Sequence, residues 1–109
     1  MITVKVKKGQ SGRIHSFEMS GHAQFDEYGK DLVCAGASAV SFGALNAIME
    51  LTDSQPVIEQ GSEGGYLKAV FSDDEIEDAN IQLILNTMIV SLKTIEQDYG
   101  EYIKIIFTK

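Results

Sequence analysis

A chain of 109 residues holds one compact domain and little more. Hydrophobic residues make up 44% of it, which excludes wholesale disorder. The formal net charge of −7, from 16 acidic against 9 basic residues, excludes a grip on nucleic-acid backbone, which needs clustered Lys and Arg. It suits a basic partner, or solubility alone.

Ile2 to Lys7 alternates, with Ile2, Val4 and Val6 on one face, and predicts a strand rather than a signal-peptide core. A turn at Gly9-Gln10-Ser11-Gly12 leads to a second strand, Arg13 to Ser20, its hairpin partner. Gly21 to Val33 has no sustained period and reads as a loop, long enough to imply a use. From Cys34 to about Leu51 the spacing of Ala37, Val40, Ala44, Ile48 and Leu51 predicts a helix, with Phe42, Leu45 and Met49 as a second stripe. Thr52 to Pro56 ends it. Val57 to Gln60 and Tyr66 to Phe71 form a hairpin around the Gly61–Gly65 turn. A second helix opens on Ser72-Asp73-Asp74-Glu75, a Ser-x-x-Glu capping box, carries Ile81, Ile84, Leu85, Met88, Leu92 and Ile95 inward, and stops near Gly100. Tyr102 to Thr108 is a last strand. The order ββαββαβ predicts an α+β fold, two helices packed on a largely antiparallel sheet, in a single domain over residues 1–109.

No stretch approaches the roughly 18 apolar residues of a membrane span, so no membrane partner is expected. The single cysteine rules out an internal disulfide and points to the cytoplasm, where a lone thiol stays reduced. Cys34 is then either a packed small residue or a reactive group.

Chemistry would need Cys34 as thiolate. A position at the start of a helix would favour that form, and free first-turn amides would offer an oxyanion hole. His22, across the loop, is the base that could take the thiol proton. Asp31 either orients His22 or serves the helix entry. Ser38 lies one turn after Cys34 on its face and could bond to it or to the loop. Phe25 and Tyr28 either pin the loop or line an apolar substrate pocket, while His15, in mid-strand, has no assigned role. A phosphatase loop lacks its arginine, a metal site lacks ligands and a thioredoxin-like motif lacks its second cysteine, so no metal or cofactor is expected.

Gly21-His22-Ala23, then Tyr28-Gly29-Lys30-Asp31-Leu32-Val33-Cys34-Ala35, then Ser38, resemble the signature of the Prp family of ribosomal-processing cysteine proteases. Chain length, element order and the Gly-Gly hairpin before a capped helix extend the resemblance over essentially the whole chain. It implies a bacterial, cytoplasmic endopeptidase that removes the amino-terminal extension of a large-subunit ribosomal protein. It further implies His22 and Cys34 as the catalytic pair, Asp31 and Ser38 in support, no direct contact with nucleic acid, and a homodimer. On this reading the extended substrate lies along the loop from Ala23 to Val33, and the substrate-loop residues are Phe25, Tyr28 and Gly29 within it and Gly21 just before it. The rival reading is a non-enzymatic factor that binds a basic ribosomal protein during ribosome assembly. A thiol redox sensor is weaker, because the chain has no resolving cysteine.

Overall fold

The computed structural model describes residues 1–21, 27–61 and 65–109, and the side chains of all of these but 27–31. Strands β1 (Ile2–Lys8) and β2 (Ile14–Ser20) precede helix α1 (Glu27–Leu51). Strands β3 (Val57–Gln60) and β4 (Tyr66–Val70), helices α2 (Asp73–Ile76) and α3 (Ala79–Tyr99), and strand β5 (Ile103–Thr108) follow. The five strands form one sheet in the order β3-β4-β2-β1-β5. Three of its pairings are antiparallel, and the β1–β5 pairing is parallel. The expected α+β architecture and element order are those observed.

One face of the sheet is apolar and carries the helices. Ile2, Val4 and Val6 of β1 are buried, whereas Lys5 and Lys7 on the opposite face are exposed, as a period of two demands. Leu67, Ala69 and Ile103 continue that face, and Leu45 and Ile48 of α1 with Leu85, Met88 and Leu92 of α3 close over it. In β2 the buried pair is Ile14 and Phe17, three residues apart, which a regular strand would place on opposite faces. A bulge between Lys7 and Lys8 shifts the register, so that Lys7 pairs with Ser16 and Lys8 with Ile14. The side chain of Gln82, in α3, then accepts from the Ile14 N–H and donates to its C=O, each at 2.9 Å, as a strand partner would.

Two helix boundaries differ from the sequence reading. Helix α1 starts at Glu27, so Glu27 to Val33 is helical and not loop. Backbone bonds extend a helix once it is nucleated, and of the described side chains in that stretch Val33 is buried while Leu32 is 59% exposed. One buried residue shows no period. The second predicted helix is divided at Glu77 and Asp78. The capping box at Ser72 and Glu75 is present as expected, but it starts only the short α2. Asp78 then captures the Asn80 and Ile81 N–H groups and starts α3 afresh.

Against expectation, one segment does reach the length and mean hydropathy of a membrane span: Leu32–Leu51, at 1.7. Its large buried side chains, Val33, Leu45 and Ile48, belong to the core shared with the sheet. Its hydropathy is that of the domain's central helix.

Candidate active site

Cys34 lies on α1 where that helix passes over one end of the sheet. Ala37, Ser38 and Phe42 follow it at helical spacing, so the four share one side of the helix. The opposite wall comes from Ile2 at the start of β1, Met19 near the end of β2, and the β3–β4 hairpin, including Gln60, Gly61 and Tyr66. Between these walls is a cavity of about 260 Å³. Cys34 is half-buried against the core and opens into it. The thiol is neither sealed in the core nor free on the surface.

Hydrogen bonds fix the cavity from behind. Ser41, one turn below Ala37, is fully buried and donates to the Met19 Sδ at 3.7 Å, tying α1 to β2. Gly21 follows β2 with φ +92, a conformation that a side chain resists, and its N–H donates to the Gly65 carbonyl at 2.9 Å. A Cβ on Gly21 would strike the Met1 carbonyl oxygen. This glycine therefore turns the chain toward residue 22 at a point where β1, β2 and β4 converge. Tyr66 donates its hydroxyl to Glu18 at 2.8 Å. That bond, with a smaller desolvation and the nearby Glu18 and Glu59 charges, raises the phenol above its ordinary value of 10.0, so Tyr66 stays a neutral donor.

The described lining carries no charged side chain. It suits a neutral, largely apolar peptide segment and leaves polar work to Cys34, Ser38, Gln60 and Tyr66.

The sequence-predicted residues are only partly brought together. Cys34 and Ser38 line the same cavity, and Gly21 is at its rim. No hydrogen bond joins Ser38 to Cys34 among the described residues. Tyr28, Gly29 and Asp31 are in the first turns of α1 and not in a loop; position 31 precedes Cys34 by three residues, on a neighbouring face of the helix. His22 and Phe25 lie outside the described residues, as does most of what remains of the expected substrate loop. The helix-start argument for the thiol is corrected. Cys34 is seven residues, about two turns, beyond Glu27, so its own amide is inside the helix and the free first-turn amides are elsewhere.

Gln60 and Tyr66 escaped the sequence reading. They share a cavity with Cys34 only through the hairpin's place in the sheet, which no local pattern encodes.

The model of the cysteine protease Prp family matches residues 1–104. The chain belongs to that family. It is similar to the ribosomal processing cysteine protease Prp of Staphylococcus aureus, 47% identical over 105 residues, covering 96% of this chain and 97% of the relative. The Bacillus subtilis protein of the same name is 43% identical over 107 residues, with 96% of each chain covered. In structure it is similar to the S. aureus protease in complex with a covalently linked product peptide (TM-score 0.92, 44% identity, 99% of this chain and 100% of that one). The same S. aureus protease with a substrate peptide gives a TM-score of 0.90 over the same shares, again at 44% identity. The present chain is therefore a cysteine protease, which decides against the non-enzymatic binding factor.

Proposed function

We propose that this protease removes the amino-terminal extension of a bacterial large-subunit ribosomal protein, with Cys34 as nucleophile and His22 as general base and acid. The observation that carries the reading is the half-buried Cys34, the chain's one cysteine, opening into an apolar cavity. Support comes from the relatives named for ribosomal processing and from the S. aureus structure with a covalently linked product peptide.

In the first step His22 takes the Cys34 proton, and the sulfur attacks the carbonyl carbon of the scissile bond. The carbon–nitrogen bond breaks as His22 returns the proton to the leaving amine, which leaves a thioester on Cys34. Water, deprotonated by His22, attacks the thioester and frees the carboxylic acid and the thiol. Ser38, one turn from Cys34 in the same cavity, is the donor we assign to the developing oxyanion in place of the helix-start amides. Asp31, one turn before Cys34, is assigned the orientation of His22.

Activity in the cytoplasm and action as a homodimer belong to the same proposal. An exposed apolar strip supports the dimer: Leu83 and Val90 of α3 are 67% and 64% exposed beside a groove of about 380 Å³ between α1 and α3. An active enzyme that sediments as a monomer removes that part.

Mass spectrometry of the ribosomal protein, bearing its extension, after incubation with wild type or Cys34→Ala tests the whole. A defined truncation by the wild type alone is expected. Equal truncation by both removes Cys34 from the mechanism, and no truncation by either removes the substrate.

A further inference from the structure

A five-stranded open sheet has two edges, and here they are finished differently. At β5 the Ile2 N–H donates to the Tyr102 carbonyl, so the even-numbered residues bond to β1 and Ile105 turns its N–H outward. The outward N–H of Ile105 is taken by the Glu96 carboxylate at 2.9 Å. Lys8 and Lys93 place their ammonium groups 4.9 and 5.1 Å from the exposed Phe107 ring. Charge and a side-chain cap discourage pairing at that edge.

At the β3 edge no described side chain caps the outward backbone groups, although Glu59 there is charged and exposed. The Gly61 N–H donates to the Tyr66 carbonyl, which makes 61 and 66 a bonded pair. With the register Glu59↔Lys68 and Val57↔Val70, the bonded pairs fall on odd positions of β3. Ile58 and Gln60 therefore aim both N–H and C=O away from β4, and no described group meets them. Gln60, the last residue of this open edge, also lines the cavity that contains Cys34.

The geometry points to β3 as a docking edge on which an extended substrate pairs as a sixth strand, through the backbone groups of Ile58 and Gln60, and is led past Gln60 to Cys34. The inference rests on the proteolytic site proposed above. It adds how substrate is held there: main-chain bonds supply affinity independent of sequence, and alternate side chains face the cavity. An extended peptide is the occupant that fits, because the edge ends at the cavity of Cys34 and the similar S. aureus protease is in complex with a substrate peptide and with a covalently linked product peptide. A second copy of the chain paired at this edge would close the route to the cavity.

The test is amide hydrogen exchange of Cys34→Ala with and without a peptide spanning the extension's cleavage junction. The Ile58 and Gln60 amides are expected to slow by about tenfold or more on saturation, while Glu59, already bonded to β4, changes little. In parallel, single N-methylation along the peptide is expected to raise KM about threefold to tenfold at alternate residues only, with wild-type enzyme. Gln60→Pro lacks the outward donor that Gln60→Ala keeps, both having lost the cavity-lining side chain, and is expected to raise KM about threefold to tenfold relative to Gln60→Ala. Cleavage with no alternation, and no slowing at Ile58 and Gln60, overturns the docking edge and leaves the protease intact. A peptide that neither binds nor is cut overturns both.

Discussion

The two ends of the sheet are built on different principles. At the end that holds Cys34, α1 and the β3–β4 hairpin face each other across open space, and the hydrogen bonds that matter sit behind the cavity, at Ser41, Gly21 and Tyr66. At the opposite end polar groups are tied to each other. Gln82 clamps Ile14 at the bulge, Asp78 caps α3, and Ser72 and Glu75 cap α2 while Ser54 donates to the Glu75 carboxylate. A groove of about 740 Å³ at that end is lined by these same acidic and hydroxyl side chains, but among the described residues no buried polar side chain there lacks a partner. One end is satisfied and the other is left able to bind. Substitutions at the first should change rate with little change in stability, and those at the second should do the reverse.

The largest effect of this kind is expected at Ser38. If its hydroxyl receives the oxyanion, Ser38→Ala lowers kcat by roughly 10²–10³, about 3 kcal/mol of transition-state stabilisation, with KM nearly unchanged. The melting temperature should stay within about 2 °C of wild type, since the half-exposed hydroxyl has no role in the core. A kcat within about threefold of wild type would return Ser38 to a lining role.

Gln82→Ala is the converse. The two bonds to Ile14 satisfy both backbone groups where the bulge interrupts the ladder, and truncation leaves them exposed to a partly buried surface. A loss of about 2 kcal/mol in urea unfolding is expected, with kcat/KM unchanged under native conditions. A variant that kept its stability but lost activity would break the division between the ends.

How far the sequence reached follows the same division. Strand β1 was legible nearly to the residue because alternation on a half-buried sheet is a local signal, and β3 was legible from its place before the Gly61–Gly65 turn of a hairpin. The capping box was legible because it is closed within four residues. Cys34 and Ser38 could be placed together by helical spacing alone. The start of α1 was not legible, since its first turns are added by backbone bonds with little apolar signature. Nor was the break at Asp78, where an acidic residue in a helical stretch reads as surface until its side chain is seen to capture two amides. The parallel β1–β5 pairing and the approach of Gln60 and Tyr66 to Cys34 are long-range contacts, which no local period encodes.

The smallest effect separates charge from shape at the satisfied end. Burial pushes the Glu75 carboxyl up, but hydrogen bonds from the Ser54 hydroxyl, the Ser72 backbone and hydroxyl and the Gln55 backbone outweigh it and hold the group below its ordinary value of 4.5. A depressed carboxylate contributes stability that is fully present above the unfolded value and is lost as pH falls through the folded one. Glu75→Gln keeps one oxygen for the capping box but turns the oxygen that accepts from Ser54 into an amide donor; the charge it removes at the start of α2 is a surface interaction worth about 0.5 kcal/mol after screening. At neutral pH the variant should therefore melt about 2–4 °C below wild type. The gap should narrow as pH drops below the ordinary glutamate range and close once Glu75 itself is protonated. Calorimetry across that window decides the point: a gap that stays constant into acid would assign the loss to altered packing around Ser54 and not to the charge.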